Sequence, residues 1–209
     1  FEIGVIGYGG NGVRNPLQGA FAGKVFNPVS LFEQFPLSVE DRIKKVPDGA
    51  GGVNEEKIKF PVWFVPEATG GTPMKEALKV AAIELATWCD NHSDSYPPTV
   101  LHVTDGESSD GDPESIAEQM GQLSTNDGSV LLFNLHTSDE GVRPIKFPVS
   151  EDEITDIHGK SLFRMSSILP EGVSLAAREK GYSVADKSRG FFFNVEPIEI
   201  VDFFDIGTR

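Results

Sequence analysis

Apolar residues recur at three- and four-residue spacings in one long stretch: Met74, Ala77, Leu78, Ala81, Leu85 and Trp88 form the stripe of an amphipathic helix opened by Thr72 and Pro73. Around it the pattern changes to short, continuous apolar runs. "PVWFV" at 61–65 precedes the helix, "TVLHV" at 99–103 follows it, and "VLLFNL" at 130–135 comes later. Between the last two, Asp112 and Pro113 start a second helix whose inner face reads Ile116, Met120 and Leu123. Strands separated by helices require right-handed parallel crossovers, so the alternation predicts an α/β fold: a doubly wound, mostly parallel sheet with helices on both faces. A strand at 1–6, a helix at 172–180, a strand at 190–195 and a last helix from Pro197, with Ile198, Val201 and Phe204 inward, extend the pattern. Residues 13–60 carry glycine and proline throughout and read as a long connection, and 141–168 is also irregular. All of it fits a single domain over 1–209.

The opening "FEIGVIGYGGNG" places Gly7, Gly9 and Gly12 in the spacing G-x-G-x-x-G, after a strand and with Glu33 at a suitable distance for a dinucleotide site. Such a site also needs a helix opening at its last glycine. Pro16, Gly19, Gly23 and Pro28 break one, so the stretch is read as a strand followed by a flexible loop.

A formal net charge of -14 sets aside nucleic acid and anionic membrane surfaces as partners and favours a cation or a basic group. Cys89 is the only cysteine, which excludes an intrachain disulfide and a cysteine zinc site and favours a reducing, cytoplasmic setting. No apolar run reaches the ~18 residues that would span a bilayer.

In an open parallel sheet, ligands gather beyond the carboxyl ends of the strands. Thr72, after the glycine pair in "TGGTPM", and Asp105, in "LHVTDGESSDGD", both fall at such an edge. A hydroxyl and a carboxylate are hard donors suited to Mg²⁺, Mn²⁺ or Ca²⁺. Each also has a plainer role available, Thr72 as a helix cap and Asp105 as a turn residue.

"GGTPMKEAL", then one helix, then a strand ending "VTDGESSDGD", resembles a von Willebrand factor A domain. The order "IGVIGYGG", "FPVWF", "LLFN" and "FFFNV…FFDIGT" is similar to bacterial stand-alone members, so the resemblance covers nearly all of the chain. It implies a Rossmann-like fold in which the opening strand is the second one, with its glycines in the turn beyond. It also implies a metal-ion-dependent adhesion site, built from a D-x-S-x-S triplet, a threonine that falls on Thr72 and an aspartate that falls on Asp105. The implied cofactor is Mg²⁺, or Mn²⁺ or Ca²⁺, and the implied partner is a protein that offers an exposed Asp or Glu carboxylate to the ion. The triplet is absent, since "DNHSDS" at 90–95 has the wrong spacing. In the family the triplet lies on a central first strand, which leads to the expectation that the polypeptide continues upstream of Phe1 or that another segment supplies that strand.

Two rivals stand beside the binding module. A metal-dependent hydrolase could draw a base from His102, His136 or His158, of which His136 is the one well placed and His102 reads as a core histidine. A degenerate member would keep only an interaction surface without the ion. Asp110 and Asp112 lie near the expected mouth and could tune its charge, although solubility is the commoner use of such residues; Ser108 and Ser109 read as ordinary loop serines.

Overall fold

The longest β-structure among the described residues is a two-stranded ribbon in which three of ten rungs set opposite charges face to face. In the computed structural model, which describes residues 1–47, 52–67, 69–137, 143–195 and 197–208, the chain forms two compact units, Phe1–Gly70 and Gly71–Arg209.

The first unit is made of antiparallel pairs. Strand β1 (Glu2–Gly4) pairs with β4 (Phe26–Pro28), and β2 (Gly7–Gly9) pairs with β3 (Gly12–Arg14). The glycines of the opening motif therefore form a hairpin whose turn is Gly10 and Asn11, and Gly12, at φ +87°, leads into a strand instead of a helix. Gly10 lies so close to the Thr69 backbone that a β-carbon would collide with it. After the short helix α1 (Val29–Gln34), strands β5 (Ser38–Pro47) and β6 (Val53–Val62) pair along their whole length. Lys45 faces Glu55, Lys44 faces Glu56 and Asp41 faces Lys59 across this ribbon. Residues 13–60 are thus not an unstructured connection: they hold β4, α1 and the paired strands β5 and β6. The small core of this unit is Leu17, Phe21 and Phe32, and the Trp63 indole N–H donates to the Phe32 carbonyl at 2.7 Å. The predicted strand at 61–65 contributes only its first two residues, as the end of β6.

The second unit centres on one sheet of four strands in the order β11-β12-β10-β7, where β7 is Thr99–Thr104, β10 Leu131–His136, β11 Ile145–Lys146 and β12 Phe191–Phe193. β10 runs parallel to both β7 and β12, but β11 is antiparallel to β12. Strands β8 (Ser124–Thr125) and β9 (Gly128–Ser129) form a separate small hairpin. The expected doubly wound, mostly parallel sheet is therefore corrected: only three strands run parallel, in one small mixed sheet, and the remaining strands form separate antiparallel pairs. The amino-terminal runs that were expected to join it pair locally with their own neighbours instead.

Helix α2 (Met74–Asn91) and helix α3 (Glu114–Met120) pack together, and α3 touches α4 (Ile157–Met165), which lies on β10 and β12. Helix α5 (Glu171–Glu179) packs on α6 (Pro197–Gly207), which lies against β7 and β10. No helix among the described residues is long and apolar enough to cross a membrane.

Three finer expectations change. Helix α4 and strand β11 occupy part of the stretch read as irregular; positions 141 and 142 of that stretch lie outside the described residues. Gly159, inside α4, sits where a β-carbon would lie 2.9 Å from Ile154 Cγ2, so packing requires the glycine. In α6 the inward residues are Phe203 and Ile206; Val201 and Phe204 are exposed, and the Ile198 side chain lies outside the described residues. In α3 the buried face is Ala117 and Met120, with Ile116 half-buried.

Candidate functional site

The turn before α2 and the loop after β7 are sewn together. The Thr72 N–H donates to Ser109 Oγ at 2.9 Å, and the Ser109 N–H donates to the Thr72 carbonyl at 2.9 Å. One residue on, the Asp110 carboxylate accepts from the N–H groups of Lys75 at 3.0 Å and Glu76 at 2.8 Å, and from the Ser108 hydroxyl at 2.8 Å. Burial works against the Asp110 charge, yet the hydrogen bonds from Glu76, Ser108 and Lys75 hold its carboxyl below the usual aspartate value. A β-carbon on Gly71 would stand 2.9 Å from Ser109 Oγ, so the close approach of the two loops needs that glycine.

This latch reassigns the plain roles expected of the two candidate ligands. Pro73 occupies the position before α2 and has no side chain that can cap, so Asp110 caps that helix from the other loop. Thr72 is not consumed as a cap. Likewise, the turn after β7 is tied by Thr104, whose hydroxyl donates to the Gly106 carbonyl at 3.1 Å and accepts from the Gly106 N–H at 3.3 Å. Asp105 is exposed. The half-buried Thr72 turns its Oγ1 toward this loop, 3.6 Å from where a β-carbon on Gly106 would be.

The loop from 105 to 112 carries Asp105, Glu107, Asp110 and Asp112, and four carboxylates so close together favour a cation among them. Asp112 is structural, accepting the Glu114 N–H at 2.9 Å as α3 starts. Among the described residues, no group of three or more His, Cys, Asp or Glu side chains is arranged to hold a metal ion. A site here would rest on one hydroxyl, one carboxylate and waters, a set that suits a hydrated hard cation such as Mg²⁺ and not a soft metal.

The histidines divide by environment. His102 is buried in β7, its Nδ1 2.7 Å from Asn134 Oδ1, and burial lowers its pKa: it is a satisfied core residue. His158, in the first turn of α4, pairs with Glu107. His136 ends β10, stacks on Phe193 with ring centroids 4.9 Å apart, and is held below the ordinary histidine value by burial, against the opposing pull of Asp156 and Asp105. Sequence reasoning saw the two loops through their turn-rich composition. It missed the Asp110 latch, because an aspartate in a loop carries no mark of a helix 34 residues away.

Comparison with protein-family models, with curated proteins and with solved structures returned no match to this chain.

Proposed function

We propose that the protein is a divalent-metal-dependent protein-binding module that recognises a carboxylate of a partner protein. Thr72 and Asp105 would hold Mg²⁺, or Mn²⁺ or Ca²⁺ in its place, and the ion supplies a positive point on an acidic chain at which an exposed Asp or Glu of the partner can dock. The observation that carries this reading is the latch between the two loops, which turns the Thr72 hydroxyl toward the residues beside Asp105 and leaves helix capping to Asp110 and turn formation to Thr104. The likeness of "GGTPMKEAL" and "VTDGESSDGD" to von Willebrand factor A sequences supports the same donors. Hydrolysis has less support: the Ser108 hydroxyl is spent on Asp110, and Ser109 Oγ accepts from Thr72.

Calorimetric titration with Mg²⁺ and Mn²⁺ tests the proposal. Heat is expected in the parent protein, reduced in Thr72→Ala and lost in Asp105→Ala. An ion-dependent partner would be released from the immobilised protein by a chelator. A parent protein that gives no heat with either ion sinks the metal reading and leaves a scaffold without one.

A further inference from the structure

No described side chain of the ribbon β5–β6 is fully buried. A two-stranded ribbon alone is marginal in water and needs a further layer against one of its faces. Strand alternation gives it two faces, and the register assigns residues to each. One face carries Glu40, Arg42 and Phe60 and covers itself. The Arg42 guanidinium lies 3.8 Å over the Phe60 ring, and its Nη2 and Nε donate to the Glu40 carboxylate at 2.8 and 3.0 Å. The other face carries Val39, Ile43 and Val53, each more than half in solvent (54, 60 and 61 %). Apart from Phe60 under its cation, the exposed large apolar residues of the ribbon all fall on this second, open face.

Charge on the open face is palindromic. The rung Ile43–Lys57 lies at its centre, with the rung Asp41–Lys59 on one side and Lys45–Glu55 on the other. Along β5 the face therefore reads acid, Ile43, base, and along β6 it reads acid, Lys57, base. A second copy turned about a two-fold axis along the central rung, and laid open face to open face, sets Ile43 on Ile43. The same rotation sets Asp41 on Lys45 and Glu55 on Lys59, and repeats both contacts across the axis. Each rung of opposite charges then lies over one of reversed sense, so four charges alternate in sign around a square.

We infer that the open face of the ribbon is a self-association surface, on which a second copy of this chain docks antiparallel about that axis. The inference uses neither Thr72 nor Asp105 and stands apart from the metal reading. A second copy is the matching occupant because an isologous contact needs a surface complementary to itself, which this charge order supplies. A two-fold along the strands would also match charge, but it would set Ile43 on the Lys57 ammonium and lose the apolar contact. In the antiparallel form Lys57 faces Lys57, and the long stems let both ammonium groups reach water. Ten rungs make the face about 34 Å long and two strands make it roughly 10 Å wide. The contact therefore falls below the ~1,200 Å² of a standard interface, so the dimer is weak; the charges set its register and Ile43 supplies its apolar centre.

Sedimentation equilibrium of the full chain, up to about 1 mM and with a chelator present so that no ion contributes, tests the inference. The parent is expected to show a monomer–dimer equilibrium. Ile43→Asp changes a solvent-exposed residue and sets two carboxylates against each other on the axis, so dimer affinity is expected to fall by about tenfold or more. Lys44→Ala, on the self-covered face, is expected to leave it unchanged. Mixing tests the axis itself. Lys57→Glu brings opposite charges together there only when it meets the parent, so an equimolar mixture is expected to show a higher weight-average mass than either protein alone at the same total concentration. A parent that stays monomeric at the highest concentration overturns the inference, as does a dimer that Ile43→Asp leaves intact. A mixture that gains no mass overturns the antiparallel arrangement. Should Ile43→Asp fail to fold, the mixing experiment decides.

Discussion

The ribbon β5–β6 and the sheet strand β12 are both β-structure, but different physics holds each of them. The ribbon has ten residues per strand and exposes Val39, Ile43 and Val53; three of its rungs set charge against opposite charge across the ladder. Strand β12 has three residues, all phenylalanine and all buried. Phe192 faces one helix layer, with Phe147, Tyr182 and Phe203 at centroid distances of 4.7, 5.5 and 5.2 Å, while Phe191 and Phe193 face the other. Backbone pairing alone gives shape; stability comes from apolar surface taken out of water, so the shorter strand is the stronger one.

The largest effect should therefore come from Phe192→Ala. Deleting a fully buried ring leaves a cavity among three aromatic neighbours, and a loss of roughly 3–5 kcal/mol is expected in urea unfolding. A loss below about 1 kcal/mol would mean that the aromatic layer is not where the unit keeps its stability.

Next comes Gly159→Ala, where the sign is the test. In an exposed helix this change stabilises, because alanine is the better helix former. Here the new β-carbon would stand 2.9 Å from Ile154 Cγ2 and 3.1 Å from Phe193 Cδ2, so overpacking should win and cost about 1–3 kcal/mol. A stabilised variant would show that α4 can lift off β12 without penalty.

These two residues show what the sequence could and could not convey. Helices α2 and α5 and strands β7 and β10 were legible because each carries an apolar pattern with the period of its own structure. Helix α4 was not legible, and the reason for its Gly159 is a neighbour's ring and not its own propensity. Helix α6 was legible, but its phase was not: "PIEIVDFFDIG" has apolar residues nearly all round, and only packing selects Phe203 and Ile206 over Val201 and Phe204. The ribbon was illegible for the opposite reason, since Lys44, Lys45, Glu55 and Glu56 read as solvated loop until each finds its partner. Of the candidate site, Thr72 and Asp105 could be named from turn-rich motifs, whereas the Asp110 latch depends on contacts between distant segments.

The buried histidines add a pH dependence to the second unit. His102 and His136 are held below the ordinary value of 6.5, in both cases chiefly by burial. The unfolded chain then takes up protons that the folded chain refuses. Stability is complete above pH 6.5 and falls as the pH drops below it, by at most about 1.4 kcal/mol per pH unit for each histidine. Asp110, Glu114 and Asp202, whose folded values are lowered, act only as the pH falls below their ordinary values of 3.8, 4.5 and 3.8. The urea midpoint is expected to drop between about pH 7.5 and pH 5.5, and less steeply in His102→Gln; equal slopes would remove His102 as the cause.

Asp110→Ala should cost about 1 kcal/mol, the usual worth of a helix cap, and Asp110→Asn less, because it keeps an acceptor. The same substitution probes the latch itself: faster amide exchange at Lys75, Glu76 and Ser109 is expected together if the Asp110 bonds hold the loops in place for the Thr72–Ser109 pair beside them. Exchange that rises at Lys75 and Glu76 but not at Ser109 would separate capping from the latch.

The smallest effect belongs to the ribbon. Lys59 and Asp41 are 2.6 Å apart and stand opposite each other in the ladder, yet about 70 % of each side chain is in solvent (73 % and 72 %). High dielectric and the entropy of fixing two mobile side chains leave such a pair worth little, so Lys59→Ala is expected to change stability by less than about 0.5 kcal/mol. Its consequence should lie in pairing and not in energy: with Lys59 gone, Asp41 loses the partner that marks its register, and slipped pairings become less distinct from the native one. Hydrogen exchange along β5 and β6 measures this directly. A loss of 2 kcal/mol or more in Lys59→Ala would show that surface charge supports this ribbon as strongly as buried phenylalanine supports the sheet, and the contrast between the two would be gone.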